Sequence, residues 1–108
     1  MLAAAFAALA LASQPALHVT PAAVAPGGTV RVTGNADGCP RGDVVTVISR
    51  AFRGHAFAGV GAVFTRVGAG GAFAARARIR TRIRAGRYIV TARCGGGNLG
   101  VAARLRVT

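Results

Sequence analysis

The chain has 108 residues and is 53% apolar, which suits a single domain with a hydrophobic core. It contains 14 arginines, no lysine, no glutamate and only two aspartates, so its net charge is +12. Because the sequence has so few carboxylates and only two histidines, we expect no catalytic triad or carboxylate pair and predict a protein that is not an enzyme. A field this positive attracts polyanions without identifying one.

The first segment, residues 1–12, is an uninterrupted apolar run. It is too short to span a bilayer as a helix, which needs about 20 residues. The small-x-small triplet Ala10-Leu11-Ala12 is typical of a signal-peptide cleavage site. We therefore expect a secreted or envelope protein with a mature domain of residues 13–108 and no stable membrane insertion after cleavage. The alternative, a buried N-terminal helix, is disfavoured by Pro15 and by the absence of a capping residue.

Further along the chain, apolar and polar residues alternate in short runs separated by turns rich in Gly and Pro. A period of two predicts strands with one face in the core and the other in water. About seven short strands at regular spacing are typical of an antiparallel β-sandwich. The third run has mixed apolar faces, which favours a central strand, and the fourth is expected at an edge. The predicted strands are residues 17–20, 29–33, 43–50, 60–67, 72–80, 87–94 and 99–107.

The two cysteines, Cys39 and Cys94, lie just before the third predicted strand and at the end of the sixth. An even number of cysteines in an exported chain predicts a disulfide. In a Greek-key sandwich these two strands are antiparallel neighbours, so the start of one meets the end of the other. Two free thiols are the alternative. A metal pair is discounted because neither His nor acidic residues cluster with the cysteines in the sequence.

Several segments together resemble a bacterial immunoglobulin-like domain, a type common in exported proteins of high-GC Gram-positive bacteria. They are VTPAAVAPGGTVRVTG, GCPRGDVVTV, GGAFAARARI, AGRYIVTARC and LRVT, within residues 17–108. The resemblance implies a disulfide between Cys39 and Cys94, and a corner at Tyr88 whose hydroxyl bonds to nearby backbone. It implies an adhesion, spacer or carbohydrate-associated module. Enediyne-antibiotic carrier proteins are remotely similar through the VTP…GTV opening, but they usually have two disulfides.

Arginine occupies every second position in one stretch, and alternate residues of a strand lie about 6.6 Å apart on one face. This spacing approaches the phosphate repeat of a nucleic-acid strand, so the face is a candidate site for nucleic acid, an anionic wall polymer or lipid headgroups. The alternative is a solvated outer face, and the aromatic residues that stack bases are absent from it. We call the arginines of this stretch, together with Arg31 on the neighbouring strand, the Arg ladder. The arginines of the stretch are Arg76, Arg78, Arg80, Arg82 and Arg84.

We therefore expect an exported, non-catalytic immunoglobulin-like module with a binding or structural role at the bacterial envelope and no cofactor or metal. Its expected partner is an anionic envelope polymer or another polyanion, bound by the Arg ladder. The alternative is a carrier of a small apolar ligand, as in the enediyne carrier proteins. That carrier would use a cleft between the sheets, lined by Phe52 and Phe57.

Overall fold

The computed structural model describes residues 16–95 and 97–108. The predicted signal segment, residues 1–12, lies outside the described residues. The described part is all-β and has a disulfide, which confirms that part of the predicted fold. It has one strand more than the seven expected, and a single 3₁₀ turn at Ala69–Gly71. The strands are β1 (Ala16–Thr20), β2 (Ala23–Val24), β3 (Thr29–Asn35), β4 (Val44–Ile48), β5 (Ala62–Arg66), β6 (Ala72–Arg78), β7 (Gly86–Cys94) and β8 (Gly97–Val107).

The strands form two sheets, one of three strands in the order β1-β3-β6 and one of five in the order β2-β8-β7-β4-β5. β5 contacts β6 on one side and β1 contacts β8 on the other, so the sheets curl towards each other as a half-barrel. β4 is interior and β5 is an edge strand. The expectation of a purely antiparallel fold is wrong at β2, which pairs with β8 in parallel. A strand of two residues shows no periodicity, so the sequence pattern could not reveal it.

The inner faces of both sheets fill one hydrophobic core. Valine dominates it because a β-branched side chain packs well on a pleated surface and disfavours helix. The space between the sheets is therefore occupied by protein side chains. The largest fully buried side chains are Val30, Val32, Val45, Val47, Phe52, Ile79, Val90, Leu105 and Val107.

Two contacts hold the ends of β7 in place. At its C-terminal end, Cys94 forms the disulfide with Cys39, with 6.5 Å between their Cα atoms, and stands opposite Val45 in the antiparallel β4–β7 register. Near its N-terminal end, the Tyr88 hydroxyl donates a hydrogen bond of 2.7 Å to the Arg84 carbonyl oxygen. β7 is thus anchored both to the loop before β4 and to the segment before its own first residue.

Candidate functional site

The Arg ladder is divided by the end of β6. Arg76 and Arg78 lie on β6 with exposed side chains, and Arg31 stands directly opposite Arg76 on β3. The other three members, Arg80, Arg82 and Arg84, follow the strand and do not continue it. β6 ends at Arg78 because the next residues bond to loops: the Ile79 N–H donates to Gly28, and the Arg80 N–H to Ala51. The expectation of one strand from 72 to 80 is therefore wrong at its last two residues.

The outward side of the three-stranded sheet is cationic and has no large exposed apolar side chain among the described residues. We call it the Arg face and define it by Arg31, Arg76 and Arg78. A shallow depression of about 220 Å³ lies on it, and its four lining residues are Arg31, Ala74, Ala75 and Arg76. Alanines are the other lining residues beside the two arginines, so this depression has no large apolar side chain.

The outward side of the five-stranded sheet differs in its apolar content. Val44, Phe64 and Ile89 are 36%, 57% and 53% exposed, and they are the large apolar side chains that the described part leaves in water. All three have outward positions, since the chain neighbours Val45 and Val90 are buried in the core and Phe64 stands opposite Thr46 on β4. We call this surface the outer face. Covering any of these side chains would remove apolar area from water.

The loop of residues 49–61 joins β4 to β5. Its first part bonds to the end of β6 and the residues after it, through the Arg53 N–H to the Arg78 carbonyl and the Arg80 N–H to the Ala51 carbonyl, and its tip reaches the outer face. Its tip is a two-residue turn in which the N–H groups of Phe57 and Val60 donate to each other's carbonyl oxygens, at 3.0 and 2.8 Å. The Phe57 ring centroid lies 5.5 Å from the guanidinium carbon of Arg93, a residue on the outward side of β7. Such a cation–π contact contributes about 0.5–1 kcal/mol at an exposed site. The loop is thereby held over the sheet.

Between this loop and the sheet lies a cleft of about 530 Å³, which we call the outer cleft. Ile48, Thr91 and Ile89 form its floor, with Ile48 and Thr91 directly opposite each other on β4 and β7. Val60 contributes the wall on the loop side. The volume falls within the range of about 300–1,000 Å³ that is typical of small-molecule sites. The remaining lining residues are Ser49, Arg50, Arg87 and Tyr88.

The structure separates the two phenylalanines of the expected inter-sheet cleft, with Phe52 in the core and Phe57 on the surface. Phe52 is 1% exposed, pairs with Ile79 and belongs to the core. Its carbonyl oxygen approaches Gly61 so closely that a Cβ there would collide with it. Phe57 lies at the outer face instead. The space between the sheets is filled by core side chains, so the expected inter-sheet cleft is absent from the described residues.

Sequence reasoning missed the cleft residues Ile48, Val60 and Ile89. A usable signal was present at Ile89, which the alternation of β7 assigns to the water-facing side together with Thr91. An isoleucine in such a position is costly to leave exposed, because full burial of its side chain is worth about 1.5–3 kcal/mol. The path of residues 49–61 depends on tertiary contacts and left no comparable pattern.

Within residues 16–95 and 97–108, no three side chains of His, Cys, Asp or Glu gather as a metal site would require. In the same ranges, no helix is both long and apolar enough to cross a bilayer. His55 has a local contact, with 3.4 Å between its Nδ1 and the Gly59 carbonyl oxygen inside the loop.

No protein-family model and no curated protein matches the sequence. The solved structures that are similar to it include two from different kinds of protein. The Pseudomonas fluorescens alkylpurine DNA glycosylase AlkC, bound to DNA containing an abasic site analog, is 21% identical with a TM-score of 0.55. The match covers 88% of this chain and 30% of the glycosylase, so the chain spans less than a third of that protein. Macromomycin is 18% identical with a TM-score of 0.57, and the match covers 87% of this chain and 97% of macromomycin.

These likenesses show the fold, and they correct the expected function. Macromomycin is an enediyne carrier protein, and the match spans nearly its whole length. The comparison therefore favours the alternative, a carrier of a small apolar ligand, over an envelope module that binds polyanions through the Arg ladder. The main functional prediction is wrong in this respect. It relied on the regular spacing of the Arg ladder, which the structure ends as a strand at Arg78, and on net charge, which describes the whole surface and does not distinguish a site.

Proposed function

We propose that this protein is a non-catalytic carrier that holds a small apolar molecule in the outer cleft. The observation that carries the proposal is the cleft itself: an apolar floor on a sheet whose outward side holds the exposed Val44, Phe64 and Ile89. Its size suits a ligand of a few rings. The likeness to macromomycin supports the same class of function.

The floor of the outer cleft is preformed. β4 and β7 are interior strands of the five-stranded sheet. Ile48 and Thr91 are paired with each other and Ile89 is paired with Arg104 of β8, so the three residues are held in a fixed register. A site that needs no ordering on binding loses less conformational entropy. Covering a side chain that is about half exposed, such as Ile89, is worth about 1 kcal/mol. Affinity must therefore come from several such contacts together.

We further propose that the carrier acts outside the cell, after removal of residues 1–12, and that its two sheets are an immunoglobulin-like sandwich. The disulfide between Cys39 and Cys94 supports the first point because such bonds persist in oxidising compartments. The filled core between two facing sheets supports the second.

The test uses N-phenylnaphthylamine, an uncharged probe whose fluorescence rises in apolar surroundings. We expect the folded protein to bind it and Ile89→Ser to weaken binding about fivefold, the equivalent of the roughly 1 kcal/mol of covered surface. Val44→Ser is the matched control, because Val44 is an exposed aliphatic residue of the same face that does not line the cleft. It should leave the affinity unchanged.

Equal weakening by Ile89→Ser and Val44→Ser would mean that the probe coats the outer face without using the cleft. Binding that rises as urea unfolds the protein would mean that the probe reports exposed core. Either result would remove the carrier proposal.

A further inference from the structure

We propose that the molecule carried in the outer cleft is an amphipathic anion, with an apolar body and one carboxylate, sulfate or phosphate group. The inference rests on the proposed function and adds the charge of the ligand. It follows from the position of two cleft arginines, Arg50 and Arg87, relative to the apolar floor and to the carboxylates of the chain.

The arginines lie at the edge of the apolar floor. Arg87 precedes Ile89 by two residues on β7, so both side chains lie on the outer face about 6.6 Å apart. Two further arginines of β8 share this end of the sheet, Arg104 opposite Ile89 and Arg106 opposite Arg87. From the loop side, Arg50 lines both the outer cleft and an adjoining depression of about 400 Å³. Cations therefore flank the floor from the sheet and from the loop.

No carboxylate side chain of the protein is placed to neutralise this end of the face. The two in the sequence are Asp37 and Asp43, both in the segment around Cys39. Asp43 lies near Gly95, since a Cβ built on that glycine would be 3.9 Å from an Asp43 carboxylate oxygen. Gly95 follows β7, whereas Arg87 is near the start of that strand, so about 25 Å of strand separates them. Thr108 shares a depression with Arg87 and Arg106 but does not line the outer cleft, so an anionic group on the ligand can supply countercharge inside the cleft.

The side chains of the cleft also restrict the chemical class of the ligand. Guanidinium groups bind carboxylate, sulfate and phosphate through paired N–H donors, and these charge-assisted bonds are about twice as strong as neutral ones. A cationic ligand would meet repulsion both from Arg50 and Arg87 and from the net charge of +12. A simple inorganic anion would leave Ile48, Val60 and Ile89 uncovered. An amphipathic anion satisfies both halves of the site.

The experiment compares two probes that differ by one charged group, N-phenylnaphthylamine and anilinonaphthalene sulfonate. The measured quantity is the ratio of their dissociation constants for the full folded chain. We expect the sulfonate to bind about tenfold more tightly, and the double variant Arg50→Gln/Arg87→Gln to bring the ratio close to one. The matched control is Arg31→Gln/Arg76→Gln, which removes the same charge from the Arg face and should leave the ratio as it is in the wild type.

Each other outcome is decisive. If the wild type bound both probes with equal affinity, the inference that the ligand is an anion would be wrong, and the carrier proposal would still stand. An equal fall of the ratio in both double variants would show that net charge alone attracts the sulfonate, which also overturns the inference. Binding of neither probe to the folded protein would overturn the carrier proposal itself, and this inference with it.

Discussion

The two outward surfaces of the molecule use the same alternation and differ in what the alternate positions hold. The Arg face of the three-stranded sheet presents Arg31, Arg76 and Arg78 with small or polar neighbours. The outer face of the five-stranded sheet also presents arginines, but interleaves them with Ile89 and Phe64 and lies beside a loop that folds back over it. Only the second surface has both an apolar floor and a wall.

In a protein this basic, arginine alone does not identify a candidate site. Arginine occurs on both surfaces, so it cannot distinguish them, whereas the large exposed apolar side chains of the described residues occur on one. Single exposed apolar residues are normal, so the outer face is distinguished by the cleft in which Ile48, Val60 and Ile89 converge. A regular series of arginines on a strand is compatible with a solvated surface, because each guanidinium is well hydrated there.

Removal of the disulfide has the largest expected effect and tests whether the two sheets form one cooperative unit. Cys39 lies in the loop that leaves β3 of the three-stranded sheet, and Cys94 ends β7 of the five-stranded sheet, 55 residues later. Cys39→Ala/Cys94→Ala should lower the free energy of unfolding by about 4 kcal/mol, since an open loop of this length gives the unfolded chain more freedom. Urea unfolding measures the change.

Amide hydrogen exchange provides the complementary readout for the same variant. In one cooperative unit, protection should fall by a similar factor in β3 and in β7. Wild-type protein in a thiol reductant is the control and should behave like the variant. Faster exchange in β7 alone, with β3 unchanged, would mean that the two sheets unfold separately. The Arg face and the outer face would then belong to two units of different stability.

The next largest effect is expected on stability, from truncating side chains on the two sides of β7. Val90 is fully buried and its neighbour Ile89 is 53% exposed, so their side chains face the core and the outer cleft. Val90→Ala should lower the free energy of unfolding by about 2 kcal/mol, through lost apolar contacts and the cavity left behind. Ile89→Ala should change it by less than about 0.5 kcal/mol, as is usual for exposed positions.

Thermal and urea unfolding of the two variants decide this point. A loss at Ile89→Ala that approaches the loss at Val90→Ala would mean that Ile89 is part of the packing in solution. The outer cleft would then be closed, and the distinction between the two surfaces would weaken.

Much of the fold was predictable because it depends on local alternation. The period of two located the strand that carries Ile89 and Val90, and the even number of cysteines predicted the disulfide between Cys39 and Cys94. Strand ends were less predictable. β6 stops at Arg78 because its partners change to loops, although the alternating pattern runs on to Arg84.

The candidate site was less predictable because its two halves come from different segments. The floor residues belong to β4 and β7, which are adjacent only through tertiary pairing, and the wall belongs to the loop of residues 49–61. The turn that shapes this loop has Ala58-Gly59 at its centre, where Asn-Gly would have been recognised as a hairpin turn. The sequence around Phe57 therefore predicted an irregular segment.

The smallest effect concerns that turn, for which the Arg face has no counterpart. Ala58 has a φ of 49° and Gly59 a φ of 86°, so both central residues are left-handed, as in a type I′ turn. Alanine is disfavoured in this region and asparagine tolerates it, so Ala58→Asn should raise the free energy of unfolding by about 0.5 kcal/mol. Ala58→Val is the control and should lower it, because a β-branched residue resists positive φ.

If the turn also fixes the wall of the outer cleft, Ala58→Asn should bind N-phenylnaphthylamine at least as tightly as the wild type, and Ala58→Val more weakly. Unchanged affinity in Ala58→Val, despite a measured loss of stability, would mean that the loop does not shape the cleft and that the sheet alone binds the probe.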